Sequence, residues 1–479
     1  MTTDRPQPRQ ERTRRTQLLR KLRESRPAEG TGTTGGAGAP GPGRTEAPAS
    51  YGQEGLWFID QFDPDSTQYT IPMAFRLRGA LVLDALRHAL GDAVARHAAL
   101  RTLFVDDDGA PRQRHAAPGP VPLPVEDLSA LPAESREDEL LRRLEAESRR
   151  TFDLAEGPLF VAGLLKLAED DHVLLMNVHH IVFDGWSLGV LVEELSVLYG
   201  DRAHGRATSL EPLPLQYTDY AVWERDWLRG EESRAQYDYW AQRLDGVPRL
   251  ELPTDRPRPA VASTEGASLS FTLDREVRDA LVRISAEEQV TPFMVVLAAF
   301  HLVLARAGGQ QDFAVGTPIA NRPLPGTQQL VGYFVNSVVL RTDLSGVTTF
   351  RDVLARVRDV VLGGFENQNY PFAQLVARLD TARDPVRSPF FQAYFVMRDE
   401  SWDRLDWPDL TVESVELPVT SSVFDVTLVA KLSAQGVEGE LNFRSDLFAV
   451  ERMDRLVEEF GTVLGRALNA PDSETAHLF

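Results

Sequence analysis

The chain has no cysteine among its 479 residues. Disulfides, thiolate metal ligands and a thiol nucleophile are therefore excluded, and any covalent route would have to use Ser, Thr, Lys or a carboxylate. No apolar run approaches the roughly 20 residues needed to span a bilayer, and the polar, basic N-terminus lacks the apolar core of a secretion signal. A soluble, cytoplasmic protein is the expectation. Positive charge is also in short supply, with 51 Lys and Arg against 71 Asp and Glu for a net −20. The deficit is uneven: residues 1–50 hold ten Lys and Arg against five Asp and Glu, which leaves −25 on the remainder. So acidic a body disfavours nucleic acid as a partner. Repeats of 20–50 residues are absent as well, which removes solenoids and propellers.

What is present is enough apolar material, 43% of residues, for two packed lobes. Residues 1–49 read as a flexible arm. Its basic stretch Arg12 to Arg23 carries Leu18, Leu19 and Leu22, and residues 27–49 are rich in Gly, Ala, Pro and Thr. Residues 50–227 read as a first lobe and 228–479 as a second. From Ser50 onward strand-like and helix-like segments alternate, which argues for α/β layers. Helical patterns cover Leu83 to Ala99, Arg136 to Thr151, Leu188 to Tyr199 and Val450 to Leu468. A strand pattern begins at Leu100 and precedes a turn at Asp106 to Gly109. Thr291 and Pro292 form a helix start, N-cap followed by a proline in the first turn, and the helix from Phe293 to Arg306 is apolar nearly all round and so should be buried.

The chemistry concentrates in Val178-His179-His180-Ile181-Val182-Phe183-Asp184-Gly185-Trp186-Ser187. An apolar run of strand length ends at the paired histidines, and helical spacing resumes at Leu188. Adjacent side chains on a strand point to opposite faces, so one imidazole enters a given cleft and the other is structural. Three readings fit this loop. A metal site would use His180 and Asp184 four apart, but such ligands converge only on a helix, and no second His or Cys cluster completes the set. A serine hydrolase would use Ser187, because Gly185-Trp186-Ser187-Leu188-Gly189 fits G-x-S-x-G between a strand and a helix. Against that stand the poor placement of the downstream histidines, the missing His-Gly-Gly-Gly-type oxyanion loop, and the simpler role of Ser187 as a helix cap at Leu188. The third reading is a non-covalent transferase in which His180 meets the nucleophile and the acyl donor arrives activated, with Asp184 paired to an Arg or a backbone N–H.

At these residues the chain resembles the condensation domains of nonribosomal peptide synthetases, which share H-H-x-x-x-D-G. Further motifs follow in family order: Ser50 to Trp57, Arg96 to Phe104, Tyr217 to Trp223, Val331 through Arg341, Asn367 to Phe372, and Arg383 to Pro389. Departures are Gly55 where the first motif usually has Arg, Ala98 where the second often has Glu, and Val386 and Ser388 in place of Ser and Asn. Both His179 and His180 are present, unlike in the inactive recruitment domains of the superfamily, and the D-x-x-x-x-D form of heterocyclising members is missing.

The resemblance implies an α/β fold of two chloramphenicol-acetyltransferase-like lobes, a V-shaped pseudodimer with a central tunnel. Catalysis would rest on His180, with the Gly185 N–H facing the developing oxyanion. His179, Asp184 and Arg322 would be structural, the last two as a pair, and Trp186, Ser187, Asn336 and Gln368 would line the tunnel or its motifs. No cofactor is expected on the chain itself; the substrates would ride on the phosphopantetheine of carrier proteins recruited in trans, with a soluble amine or alcohol as an alternative acceptor and a monomer as the working state. With no adenylation or carrier segment visible, the chain reads as free-standing. A coenzyme A-dependent acyltransferase and a non-catalytic docking domain are the rivals.

Overall fold

The computed structural model describes residues 44–479 other than 261–262, 264, 380–383, 385, 399–403 and 418–420. The basic stretch of the arm and Arg383 of the last motif lie outside the described residues. Two six-stranded sheets organise the chain. The first runs, edge to edge, Arg404–Trp407, Leu410–Ser414, Thr70–Gly79, Asp171–His179, Phe160–Ala168 and Val125–Asp127. The second runs Asn336–Asp343, Asp312–Ile319, Ala393–Arg398, Val426–Leu432, Val437–Arg444 and Gly266–Leu273.

The strand Asp171–His179 is central in the first sheet, and its composition shows why. Leu174, Met176 and Val178 enter one apolar cluster with Leu86, Leu90, Leu191 and Leu195, from the helices Leu83–Arg96 and Gly185–Ala203. Val173 and Leu175 alternate onto the other face, against Leu140 and Leu144 of the helix Ala133–Glu147. A strand covered on both faces reads as a continuous apolar run. In the second lobe the helix Pro292–Gly308 is the core: from Met294 to Leu304 every residue is buried. Thr291 caps it by accepting from the Met294 N–H, and it stops at Gly309, whose φ of 64° suits glycine.

Several boundaries differ from the sequence reading. The helix from Leu83 ends at Arg96, and Ala98–Arg101 form a 3-10 turn before the strand Thr102–Asp107. The reason is His97, which leaves the helix to bond Glu194 through Nε2 at 2.7 Å and to accept the Val331 N–H. The helix expected from Arg136 begins at Ala133, directly after Pro132, and ends at Glu147. The end of the proposed linker is ordered: Glu46–Pro48 adds a strand to Ala110–His115, which in turn pairs with Thr102–Asp107. Residues 404–414, counted by sequence with the second lobe, pair in the sheet of the first, Leu410–Ser414 running antiparallel to Thr70–Gly79. Trp407, Leu410 and Val412 close the edge of the first core there, and Pro408 rests on Gly200, where an added Cβ would lie 2.6 Å from its Cγ. No single helix among the described residues is long and apolar enough to cross a membrane.

Candidate active site between the lobes

A cavity of about 3110 Å³ opens between the two sheets and takes its walls from both lobes. His180 lines it, as do Asp184, Gly185, Trp186 and Asn336. The strand ends at His179, and His180–Val182 turn as a 3-10 helix held by the His180 N–H on the Tyr69 carbonyl at 2.7 Å and by Gln53 Nε2 on the Ile181 carbonyl at 2.9 Å. Strand alternation sends His179 to the side of Val173 and Leu175. There it is buried edge-on to Phe152, and its Nδ1 accepts the Ile181 N–H at 3.1 Å. Burial drives the His179 pKa down to about 3, so it is a neutral structural ring.

His180 is oriented by one bond. Its Nδ1 lies 2.6 Å from the Phe183 carbonyl oxygen. A carbonyl only accepts, so Nδ1 carries the proton and Nε2 keeps its lone pair. Burial lowers the His180 pKa, with the Phe183 carbonyl and Asp184 acting in the opposite sense. The free base is therefore the resting form.

Asp184 is not directed at a reactant. Its Oδ1 accepts from Arg322 Nη2 at 2.9 Å, the Ser187 N–H at 2.8 Å and the Ser187 hydroxyl at 2.6 Å, and its Oδ2 accepts the Phe334 N–H at 3.0 Å. The Asp184 and Arg322 side chains are 2% and 3% exposed. Arg322 also donates to the Thr327 and Leu330 carbonyls and lies over the Phe334 ring. This pair ties the helix at Gly185 to the segment 321–334 that enters the second lobe.

Asp184, and not Ser187, is the N-cap of the helix Gly185–Ala203. Ser187 sits one turn further in, is fully buried, and does not line the cavity; its hydroxyl is shared among Asp184, the Gly332 carbonyl and N–H, and Arg322. No imidazole is bonded to it among the described residues, so the nucleophile elbow is lost: the G-x-S-x-G spacing arises from a cap and its buried support. Gly185 has open space where a Cβ would stand. Trp186 is 48% exposed and anchored by its Nε1 on the Gln328 carbonyl. Asn336 borders the cavity but spends its amide on the Gln368 and Tyr370 carbonyls and the Phe372 N–H. Gln368 does not line the cavity; its carbonyl accepts from Asn336 Nδ2 at 2.9 Å. Sequence reasoning passed over Tyr333, whose ring meets the His180 imidazole edge to face at 5.1 Å. It also passed over Tyr217, whose hydroxyl bonds the Tyr333 carbonyl and Ser50. Both lie inside quoted motifs, but residue type alone does not separate them from core aromatics. Among the described residues no group of three or more His, Asp and Glu is placed to hold a metal ion.

An α/β protein with two lobes, a cavity between them and one imidazole of fixed tautomer in its wall is an acyltransferase-like architecture. The condensation-domain family model matches residues 43–479, and the chain belongs to that family. It is 40% identical over 455 residues to one of the linear gramicidin synthase polypeptides of Brevibacillus parabrevis, covering 92% of this chain and 9% of that protein. It is 38% identical over 434 residues to the phosphinothricin tripeptide synthetase PhsC of Streptomyces viridochromogenes, covering 90% and 40%. The chain thus spans under a tenth of the length of the gramicidin synthase polypeptide. Among solved structures, the X-domain from teicoplanin biosynthesis superposes with a TM-score of 0.84 at 28% identity, covering 92% of this chain and 99% of that one. The SgcC5 protein of Streptomyces globisporus gives 0.75 at 29%, covering 89% and 100%. The two-lobed pseudodimer is the architecture these structures share.

Proposed function

We propose that the protein condenses an acyl or aminoacyl group, held as a thioester on a carrier protein's phosphopantetheine arm, with an amine or an alcohol. The observation that carries this reading is the unprotonated Nε2 of His180 in a cavity lined by residues of both lobes. In the step, the acceptor N–H or O–H hydrogen-bonds to Nε2 while its heavy atom attacks the thioester carbonyl. Nε2 takes the proton, the C–S bond breaks, and the proton passes to the leaving thiolate. General-base assistance of this kind contributes about 10²–10⁴ in rate. The Gly185 N–H, in the first turn of a helix where backbone donors lack intrahelical partners, is the candidate donor to the oxyanion. Asp184, Arg322 and Ser187 hold the frame.

An amine of pKa about 7.7–8.0 is partly neutral already, so it draws mainly on positioning by His180, whereas an alcohol needs the base itself. A carrier protein supplies the donor, and the usual acidity of carriers matches a basic patch better than the −25 body. A docking role is the second reading, since the same fold is seen as an X-domain complexed with OxyB; it predicts that His180→Ala leaves function intact. The test is intact-mass spectrometry of a donor-loaded carrier incubated with the protein and a panel of amines, alcohols and a second loaded carrier. New amide or ester product supports condensation. Turnover of acyl-coenzyme A alone would favour a coenzyme A-dependent enzyme, and no transfer from any donor would overturn the proposal.

A further inference from the structure

Three phenols, Tyr333, Tyr394 and Tyr69, line the cavity that holds His180, and the reaction scheme leaves their hydroxyls unused. Tyr333 packs against the imidazole at 5.1 Å. It is fixed there from three directions: Gly52 forms its floor, since an added Cβ would lie 2.8 Å from Tyr333 Cε1; its carbonyl accepts the Tyr217 hydroxyl at 2.6 Å; and the next N–H is held by Asp184. Yet no described residue hydrogen-bonds to the Tyr333 hydroxyl. Tyr394 stands over Gly316, where a Cβ would lie 2.6 Å from its ring, stacks on Phe424 at 4.4 Å, and shares a hydrogen bond with Ser337 Oγ at 3.0 Å. Tyr69, whose carbonyl holds the His180 N–H, accepts at its hydroxyl, among the described residues, only a 3.3 Å contact from Gln68 Nε2. All three line the cavity with His180. Burial, then Tyr69, Tyr394 and Asp184, raise the Tyr333 phenol pKa, so its hydroxyl stays protonated.

Phenylalanine would fill these places equally well if the substrate beside His180 were aliphatic, whereas a hydroxyl that lines the cavity and has no partner among the described residues is placed to bond a polar group of the substrate. We infer that Tyr333 is a specificity-determining residue whose hydroxyl, in the cavity it shares with Tyr69, Tyr394 and His180, receives a hydroxyl group carried near the reacting atom of the substrate. A site built to bond a hydroxyl discriminates strongly against the analogue without one, whereas an apolar pocket cannot. The inference rests on the condensation reading and deepens it. The shared chemistry is a hydroxyl near the reacting centre, which either the acyl donor or the acceptor can bring.

The test uses isosteric pairs, threonyl against valyl and seryl against 2-aminobutyryl, first as carrier-bound donors and then as acceptors, with the full chain and with Tyr333→Phe and Tyr394→Phe. In the unaltered protein the hydroxyl-bearing member is expected to be favoured by at least about tenfold in kcat/KM on one of the two sides. Tyr333→Phe is expected to collapse that ratio towards one, with turnover of the apolar member reporting that the variant is folded. The donor and acceptor arms identify which substrate is read. Equal use of both members in the unaltered protein, or an undiminished preference in both variants, overturns the inference while leaving condensation standing. Failure of every donor overturns condensation and this inference with it.

Discussion

Asp184 should behave as a structural anchor, and replacing it by alanine measures that directly. The substitution leaves the Arg322 guanidinium 3% exposed with its counter-charge gone, strips the acceptor from the Phe334 N–H and the Ser187 N–H, and leaves the Ser187 hydroxyl only the Gly332 carbonyl to donate to among the described residues. Breaking a buried ion pair by removing one partner costs about 3–5 kcal/mol, and each hydrogen bond to the charged carboxylate is worth about 1.5–3 kcal/mol, so the ion pair alone sets a lower bound on the loss. Urea unfolding of Asp184→Ala should show a loss of at least about 3–5 kcal/mol. Arg322→Met alone should be destabilising, and combined with Asp184→Ala it should return at least about 1 kcal/mol relative to the sum of the two. Hydrogen exchange should quicken at the Phe334 amide, which the carboxylate holds in the native state. A loss below about 1 kcal/mol, or strict additivity in the cycle, would refute the reasoning and return Asp184 to a chemical role.

Gly52→Ala should depress turnover while costing about 1–3 kcal/mol in stability, because its Cβ would sit 2.8 Å from the Tyr333 ring that flanks His180; unchanged kinetics would mean the ring position does not matter. Ser187→Ala should lower stability by about 1–3 kcal/mol yet retain His180-dependent transfer, since the hydroxyl only supports Asp184 and Gly332. His179 and His301 are kept neutral by burial, with pKa values of about 3 and about 4. Unfolded histidine binds protons near pH ~6.5, so stability should be full above that pH and fall progressively towards pH 3–4, with a shallower fall in His301→Gln. The acid limb of kcat/KM should lie below pH ~6.5, because burial lowers the His180 pKa; a midpoint at or above that value would contradict the neutral base.

Local rules carried much of this structure. The run ending at His179 was legible because the central strand is buried on both faces, and the helix at Pro292 because its cap, its first-turn proline and its terminal glycines are all local signals. The side-chain alternation that separates His179 from the cavity follows from strand geometry. The Asp184–Arg322 pair spans 138 residues and came only from the ordered motifs, since periodicity is silent about tertiary partners. Two features escaped for the same reason: residues 404–414 cross to the sheet of the first lobe, and Glu46–Pro48 extends a hairpin, because strand pairing at long range leaves no local signature. The hydrolase reading of Ser187 was already disfavoured by the sequence, since a G-x-S-x-G match fixes neither burial nor an imidazole partner, but that Asp184 rather than Ser187 caps the helix emerged only from the fold. Tyr333 was invisible as a site residue because its role depends on a glycine 281 positions earlier whose missing side chain makes room for the ring.

The central claim is that His180 Nε2 is the base for transfer from a carrier-bound thioester, and a single-turnover experiment tests it most directly. A donor-loaded carrier with an alcohol acceptor would be mixed with the unaltered protein or with His180→Ala, and product formation followed by intact mass alongside carrier affinity. The account predicts a fall of about 10²–10⁴ in the rate of the variant with carrier binding retained. Equal rates would contradict it and assign the bond-forming step to other residues.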